Sequence, residues 1–141
     1  MAIFCLLMLT IISSCKNPQH LLIKNATDHY DSLFVTIKIN KKIKFSGPII
    51  RSKTSSQYID QLIYLNEDNS CVEVEIPILK ISKVVCDSSK FKYIVVSINE
   101  IFSDSLYNLN KHADSLSMDP SQFRIPQVSI AFLEKKIDKL F

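Results

Sequence analysis

Leu33-Phe34-Val35-Thr36-Ile37-Lys38-Ile39-Asn40-Lys41-Lys42-Ile43-Lys44-Phe45 decides the fold class of this chain. Leu33, Val35, Ile37 and Ile39 fall on one side; Phe34, Thr36, Lys38 and Asn40 fall on the other. A strand with one buried face produces this period of two, because successive Cβ atoms point to opposite faces. Asn40-Lys41-Lys42 makes a tight turn, with Asn able to take positive φ. Ile43 and Phe45 continue the apolar alternation, with Lys42 and Lys44 opposite, and Gly47-Pro48 ends the strand. The stretch reads as a β-hairpin.

The same grammar extends outward. Leu21-Leu22-Ile23 is a first strand, closed by the turn-like Asn25-Ala26-Thr27-Asp28. Ser52 to Ser56 is a polar loop, and Tyr58 to Leu65 a further strand. Asn66-Glu67-Asp68-Asn69-Ser70 is a turn, after which Val72, Val74 and Ile76 alternate with Cys71, Glu73 and Glu75. Ile78 to Cys86 and Phe91 to Ile98 follow, separated by Asp87-Ser88-Ser89-Lys90, and Val128, Ile130 and Phe132 form a last strand. Residues 103–117 read either as one short amphipathic helix, with Leu106, Leu109, Ala113 and Leu116 at helical spacing, or as a long loop rich in Ser, Asn and Asp. Short strands divided by turns predict an all-β fold, a small antiparallel β-sandwich. With 141 residues there is room for one such domain, over 21–141.

Pro77 fixes a second register. If Pro77 to Lys80 is a hairpin loop, Ile76 faces Ile81, and counting outward sets Cys71 opposite Cys86. Cross-strand Cβ atoms lie about 4.5–5.5 Å apart, close enough for a disulfide after slight closing. If 72–85 were one continuous strand, the sulfurs would sit on the order of 40 Å apart and both thiols would stay free. Proline breaks a central ladder, so the hairpin and the Cys71–Cys86 disulfide are the expectation.

The amino terminus is of another kind. Ala2 to Ile12 is an apolar run broken only by Thr10, too short for the roughly 20 residues a bilayer span needs and of the length of a signal-peptide core. Ile12-Ser13-Ser14-Cys15 follows and resembles the lipobox of bacterial lipoproteins: a branched apolar residue, two small residues, then cysteine. That resemblance implies a leader of 1–14 removed by a signal peptidase, Cys15 carrying diacylglycerol, and a tether over 15–20. It also implies a cell-envelope location, and Lys16 in place of an aspartate points to the outer membrane of a Gram-negative bacterium. Cys5 then leaves with the leader, so Cys71 and Cys86 are an even pair in an oxidising compartment.

Taken together, the 33–45 hairpin, the 72–85 pair and the Tyr93-Ile94-Val95-Val96-Ser97-Ile98 strand resemble small envelope β-sandwich domains of immunoglobulin-like or transthyretin-like type. Such sandwiches host many functions, so the activity has to be sought in the residues.

Little chemistry is legible there. A single glycine, Gly47, excludes glycine-rich phosphate cradles. The formal charge of +3, with lysines scattered, gives no support to nucleic-acid binding. His20 falls in the tether and His29 in a turn, neither with the i, i+4 partner of a helical zinc site, and no cofactor or metal is expected. His112-Ala113-Asp114 could seed a metal-assisted hydrolase, but a solvated surface pair is the plainer reading. Lys38, Lys41, Lys42 and Lys44 either guard the hairpin against aggregation or meet anionic headgroups near the anchor. Asp-Ser-Leu occurs at Ser32, Ser105 and Ser115 and is similar to a sequon that some Gram-negative bacteria O-glycosylate on exported proteins. The expectation is a lipid-anchored, non-catalytic binding or structural module whose partners are the membrane and an envelope protein or glycan. An inhibitor or immunity-type lipoprotein is the alternative, the His112–Asp114 hydrolase a further one.

Overall fold

The computed structural model describes residues 18–65, 69–102 and 124–135. The expected leader, Cys15 and the 103–117 helix or loop lie outside them. Among the described residues, eight strands form two sheets. They are β1 (Gln19–Asn25), β2 (Ser32–Ile39), β3 (Lys42–Ile50), β4 (Ile59–Ile63), β5 (Ser70–Ile76), β6 (Ile81–Asp87), β7 (Tyr93–Phe102) and β8 (Arg124–Leu133). The first sheet has the order β4-β1-β7-β8 and the second β3-β2-β5-β6. The architecture is the expected all-β sandwich. Gln19 and His20 belong to β1 rather than to a tether, since they pair with Ile63 and Leu62 of β4.

Alternation builds the core. Leu33, Val35, Ile37 and Ile39 of β2 and Val72, Val74 and Ile76 of β5 are buried, facing Leu21, Ile23, Ile94, Val96 and Ile98 of the other sheet. Each such side chain removed from water contributes about 1.5–3 kcal/mol. Most are β-branched, which suits both strand backbone and interdigitation between sheets.

Three details depart from the sequence reading. First, β1 and β7 run parallel, Leu22 beside Val95 and Ile23 beside Val96. A parallel pair needs a long crossover, which the intervening strands of the second sheet supply. Second, a bulge at Lys44 breaks the 43–45 alternation: Phe45 opposes Ile37 but Ile43 opposes Lys38. Phe45 packs on the core while Ile43 is 62% exposed on the outer face, because one extra residue reverses the side a strand presents. Third, β3 continues through Gly47-Pro48 to Ile50. β3 is an edge strand, where the missing proline N–H leaves no ladder bond unmade.

Both turns form as anticipated. Ile39 pairs with Lys42, so Asn40 (φ 51°) and Lys41 (φ 66°) make a two-residue hairpin with both central residues left-handed. Pro77–Leu79 form one 3-10 turn, closed by left-handed Lys80, and Ile76 faces Ile81.

Side chains close the sandwich laterally. Gln61 Nε2 of β4 donates to the Lys44 carbonyl of β3 at 2.9 Å, and Lys83 Nζ of β6 donates to the Val128 carbonyl of β8 at 2.7 Å. The registers also define two poles. At the first, β1 and β7 begin and β4 and β8 end. At the second, β1 ends, and Asn25 bridges to Arg51 just past β3.

Candidate functional site

The expected site residues are distributed unevenly. Cys15, Ser105, His112, Asp114 and Ser115 lie outside the described residues. Ser32 opens β2, exposed and opposite Ile50. The preceding Asp31 is held in place, since Arg51 Nη2 reaches Asp31 Oδ1 at 3.0 Å and the Arg51 N–H donates to the Asp31 carbonyl at 2.8 Å. Cys71 and Cys86 form a disulfide, with Sγ atoms 2.02 Å apart. It lies on the outer face of the second sheet, beside a cavity of about 550 Å³ lined by Asn40, Lys41, Cys71, Glu73 and Val84.

The second pole carries the densest polar network. Asn25 is fully buried. Its Nδ2 donates to the Tyr30 carbonyl (3.1 Å) and the Ile49 carbonyl (3.3 Å), and its Oδ1 accepts from the Thr27 N–H (3.1 Å) and hydroxyl (2.6 Å). The Thr27 N–H bond is an Asx turn, the physical content of the turn expected at 25–28. The next turn of chain is gripped by Glu100, whose side chain is only 3% exposed. Its Oε2 accepts from His29 Nδ1 at 2.8 Å and from the Asp28 N–H at 3.3 Å, and its Oε1 accepts from the His29 N–H at 3.3 Å. Arg124 donates to the Asp28 carboxylate, and Arg51 Nη1 donates to the Asp28 carbonyl at 2.6 Å. This geometry orients the Asp28–His29 turn and its imidazole, leaving His29 Nε2 directed away from the carboxylate. A carboxylate-held imidazole is a component of acid–base sites, yet among the described residues the Glu100 carboxylate bonds only to Asp28 and His29. Among the described residues no three His, Cys, Asp or Glu side chains converge to hold a metal ion.

The first pole is built from a different mixture. His20 Nδ1 donates to Asp60 Oδ1 at 2.9 Å, and its ring stacks on Tyr93 with centroids 5.0 Å apart. Lys92 Nζ lies 5.9 Å from the Tyr93 centroid. Pro18, Gln19, His20, Phe91 and Lys92 line a cavity of about 470 Å³. Lysines end the loops around it: Lys41 and Lys42 on the β2–β3 turn, Lys90 and Lys92 between β6 and β7, and Lys135 after β8, all exposed.

The chain matches no protein-family model, no curated protein and no solved structure.

The hairpin lysines separate into two roles. Lys38 Nζ lies 2.8 Å from Glu75 and 3.6 Å from Glu73 across the β2–β5 pair. The hydrogen bond to Glu75 raises the Lys38 pKa. Glu73 and Glu75 are thus not merely a solubilising face: they neutralise one lysine of the hairpin, while Lys41 and Lys42 stay at the exposed tip. The His20–Asp60 and His29–Glu100 pairs were not legible in the sequence, because their members are 40 and 71 residues apart. Only the β1–β4 register, which sets Leu22 opposite Asp60, reveals the first.

An apolar surface occupies the outer face of the second sheet near the second pole. Phe34 (53% exposed) pairs with Pro48, and Ile50 (73%) pairs with Ser32. Ile78 (72%) projects from the 3-10 turn at the same pole. Three large apolar side chains so exposed, with Pro48 between two of them, exceed the scatter of single apolar residues usual on a soluble surface.

Proposed function

We propose that this chain is a lipid-anchored protein of the bacterial cell envelope whose β-sandwich serves as a binding or structural module rather than a catalyst. The observation that carries the reading is the Ile12-Ser13-Ser14-Cys15 sequence after an uncharged apolar run, with β1 beginning only four residues beyond the cysteine, at Gln19. A leader would end where a folded domain begins, and the lipid would sit directly against that domain.

Two further features support it. The Cys71–Cys86 disulfide suits an exported protein, since exported compartments are oxidising and the cytosol keeps thiols reduced. The apolar surface formed by Phe34, Pro48 and Ile50 suits a surface that meets other molecules. Lys16 after the cysteine favours the outer membrane, and Ser32, with Ser105 and Ser115, is the place to seek a glycan.

Intact mass spectrometry of the protein purified from native membranes tests the anchor. The expected mass lacks residues 1–14, carries a diacylglyceryl thioether with or without a further acyl chain, and is two hydrogen atoms lighter for the Cys71–Cys86 disulfide. A Cys15→Ala variant should leave the membrane fraction. Retention of residues 1–14 in the mature protein would sink the reading.

A further inference from the structure

The first pole is the end of the domain that an anchor on Cys15 would hold against the membrane. Only Lys16-Asn17-Pro18 separate that cysteine from β1. Three residues span at most about 10 Å when extended, comparable to the Debye length of about 8–10 Å near physiological salt. A domain on so short a tether cannot turn its second pole to the bilayer without unpairing β1. β1 is held on both sides, by β4 and by β7, and the His20 N–H donates to the Lys92 carbonyl at 2.8 Å.

The loops at this pole carry Lys41, Lys42, Lys90, Lys92 and Lys135, each exposed. The described acids here are Asp60, Glu73, Asp87 and Glu134; Asp60 accepts from His20 Nδ1 at 2.9 Å, Glu73 lies 3.6 Å from Lys38 Nζ, and Asp87 accepts from the Ser89 N–H at 2.6 Å. Glu67 and Asp68 belong by sequence to the β4–β5 connection at the same end. The pole is therefore a set of exposed lysine tips interspersed with acids, of which Asp60, Glu73 and Asp87 are already engaged by neighbouring groups, rather than a uniform positive field. Long lysine stems let the ammonium groups extend beyond the loops toward headgroup phosphates. Ile43, turned outward by the bulge at Lys44, adds an exposed apolar side chain beside the tip.

Resting on the anchored reading, we propose that the first pole docks onto anionic phospholipid headgroups of the bilayer that holds the lipid, through Lys41, Lys42, Lys90, Lys92 and Lys135. The domain then stands with the β1 end down and presents the second pole, with Phe34 and Ile50, away from the membrane.

Amine-reactive footprinting of the full acylated protein tests this, with Lys53 and Lys80 at the second pole as internal controls. The protein is reconstituted in vesicles of phosphatidylcholine alone or of phosphatidylcholine with phosphatidylglycerol, and labelling at each lysine is read by mass spectrometry. With phosphatidylglycerol, the five first-pole lysines should label about fivefold more slowly than in phosphatidylcholine, with the difference lost in molar salt. Lys53 and Lys80 should not change. A Lys90→Gln, Lys92→Gln variant should reduce the protection of Lys41 and Lys42. Equal labelling of both poles in the two vesicles, or protection of Lys53 and Lys80 instead, overturns the docking. The intact mass of the same sample reports the acyl group separately. If none is found, the anchor fails, and the same labelling with the protein added to preformed vesicles still decides whether this pole recognises anionic lipid.

Discussion

Cys71 and Cys86 stand opposite each other on β5 and β6, joined through sulfur with Cα atoms 4.0 Å apart. Pro77 sets that relationship from six positions beyond Cys71, because the 3-10 turn it opens fixes Ile76 against Ile81. The bond closes a loop of sequence separation 15. A loop of that size restricts the unfolded chain enough to stabilise the fold by about 3 kcal/mol. The Cys71→Ala, Cys86→Ala variant should therefore lose about that much in urea denaturation. Reductant should lower the wild-type midpoint toward the variant's and leave the variant itself unmoved. Equal midpoints in all four conditions would show that the bond contributes nothing.

Lys41 takes φ 66° at the second central position of the β2–β3 turn. A side chain there costs about 1–2 kcal/mol in local sterics, which glycine avoids. Asn40, at φ 51°, is better suited and is also tied down: its Oδ1 accepts from the Cys71 N–H at 2.8 Å and its Nδ2 donates to the Asn69 carbonyl at 3.2 Å. Lys41→Gly should raise stability by about 0.5–1 kcal/mol, whereas Asn40→Ala should lower it by about 1–2 kcal/mol. Thermal melts of the two variants check the opposite signs. A destabilised Lys41→Gly would mean that the lysine side chain makes a contact worth more than the strain it imposes.

What was legible in the sequence was local. The 33–45 hairpin, the Pro77 turn and the cysteine register each depend on residues within about a dozen positions, and period-two patterning reports them directly. The bulge at Lys44 escaped because Ile43 and Phe45 keep the alternating spelling although they face opposite sides. Which strand joins which sheet also escaped: Ile23 and Ile37 have the same apolar spelling, and nothing local says that one pairs with Val96 and the other with Val74. The polar pairs follow from those assignments. Glu100 reads as one more charged residue at a strand end until β7 is laid beside β1, which brings it under the loop carrying His29.

Glu100 is the residue on which that loop depends. Its buried carboxylate accepts the Asp28 and His29 N–H groups and the His29 ring together. Hydrogen bonds to a charged acceptor contribute about 1.5–3 kcal/mol, and removing the acceptor leaves its donors unpaired. Glu100→Ala should cost about 2–3 kcal/mol and should speed amide exchange at Asp28 and His29 while sparing the β5–β6 hairpin. Glu100→Gln, which keeps one oxygen as acceptor, should fall between. Unchanged exchange at those two amides in Glu100→Ala would remove the carboxylate from any role in holding the loop.

Lys24 and Tyr58 make opposed contributions at alkaline pH. Lys24 is buried, with its Nζ donating to the Ser55 carbonyl at 2.9 Å and lying 5.3 Å from the Tyr58 ring centroid. Burial lowers the Lys24 pKa from 10.5 and raises that of Tyr58 from 10.0. Between the lowered lysine pKa and 10.5 the unfolded chain binds the proton that the folded chain has released, so stability contributed by Lys24 rises with pH. Above 10.0 the unfolded tyrosine ionises while the folded one keeps its proton, so stability contributed by Tyr58 falls. The two act in opposite directions where their windows overlap, between pH 10.0 and 10.5. Tyr58→Phe should make the urea midpoint climb more steeply as pH approaches 10.5, and Lys24→Met should make it decline from pH 10 upward. Parallel pH profiles for the two variants would mean that these groups are not desolvated together beneath the 52–58 loop.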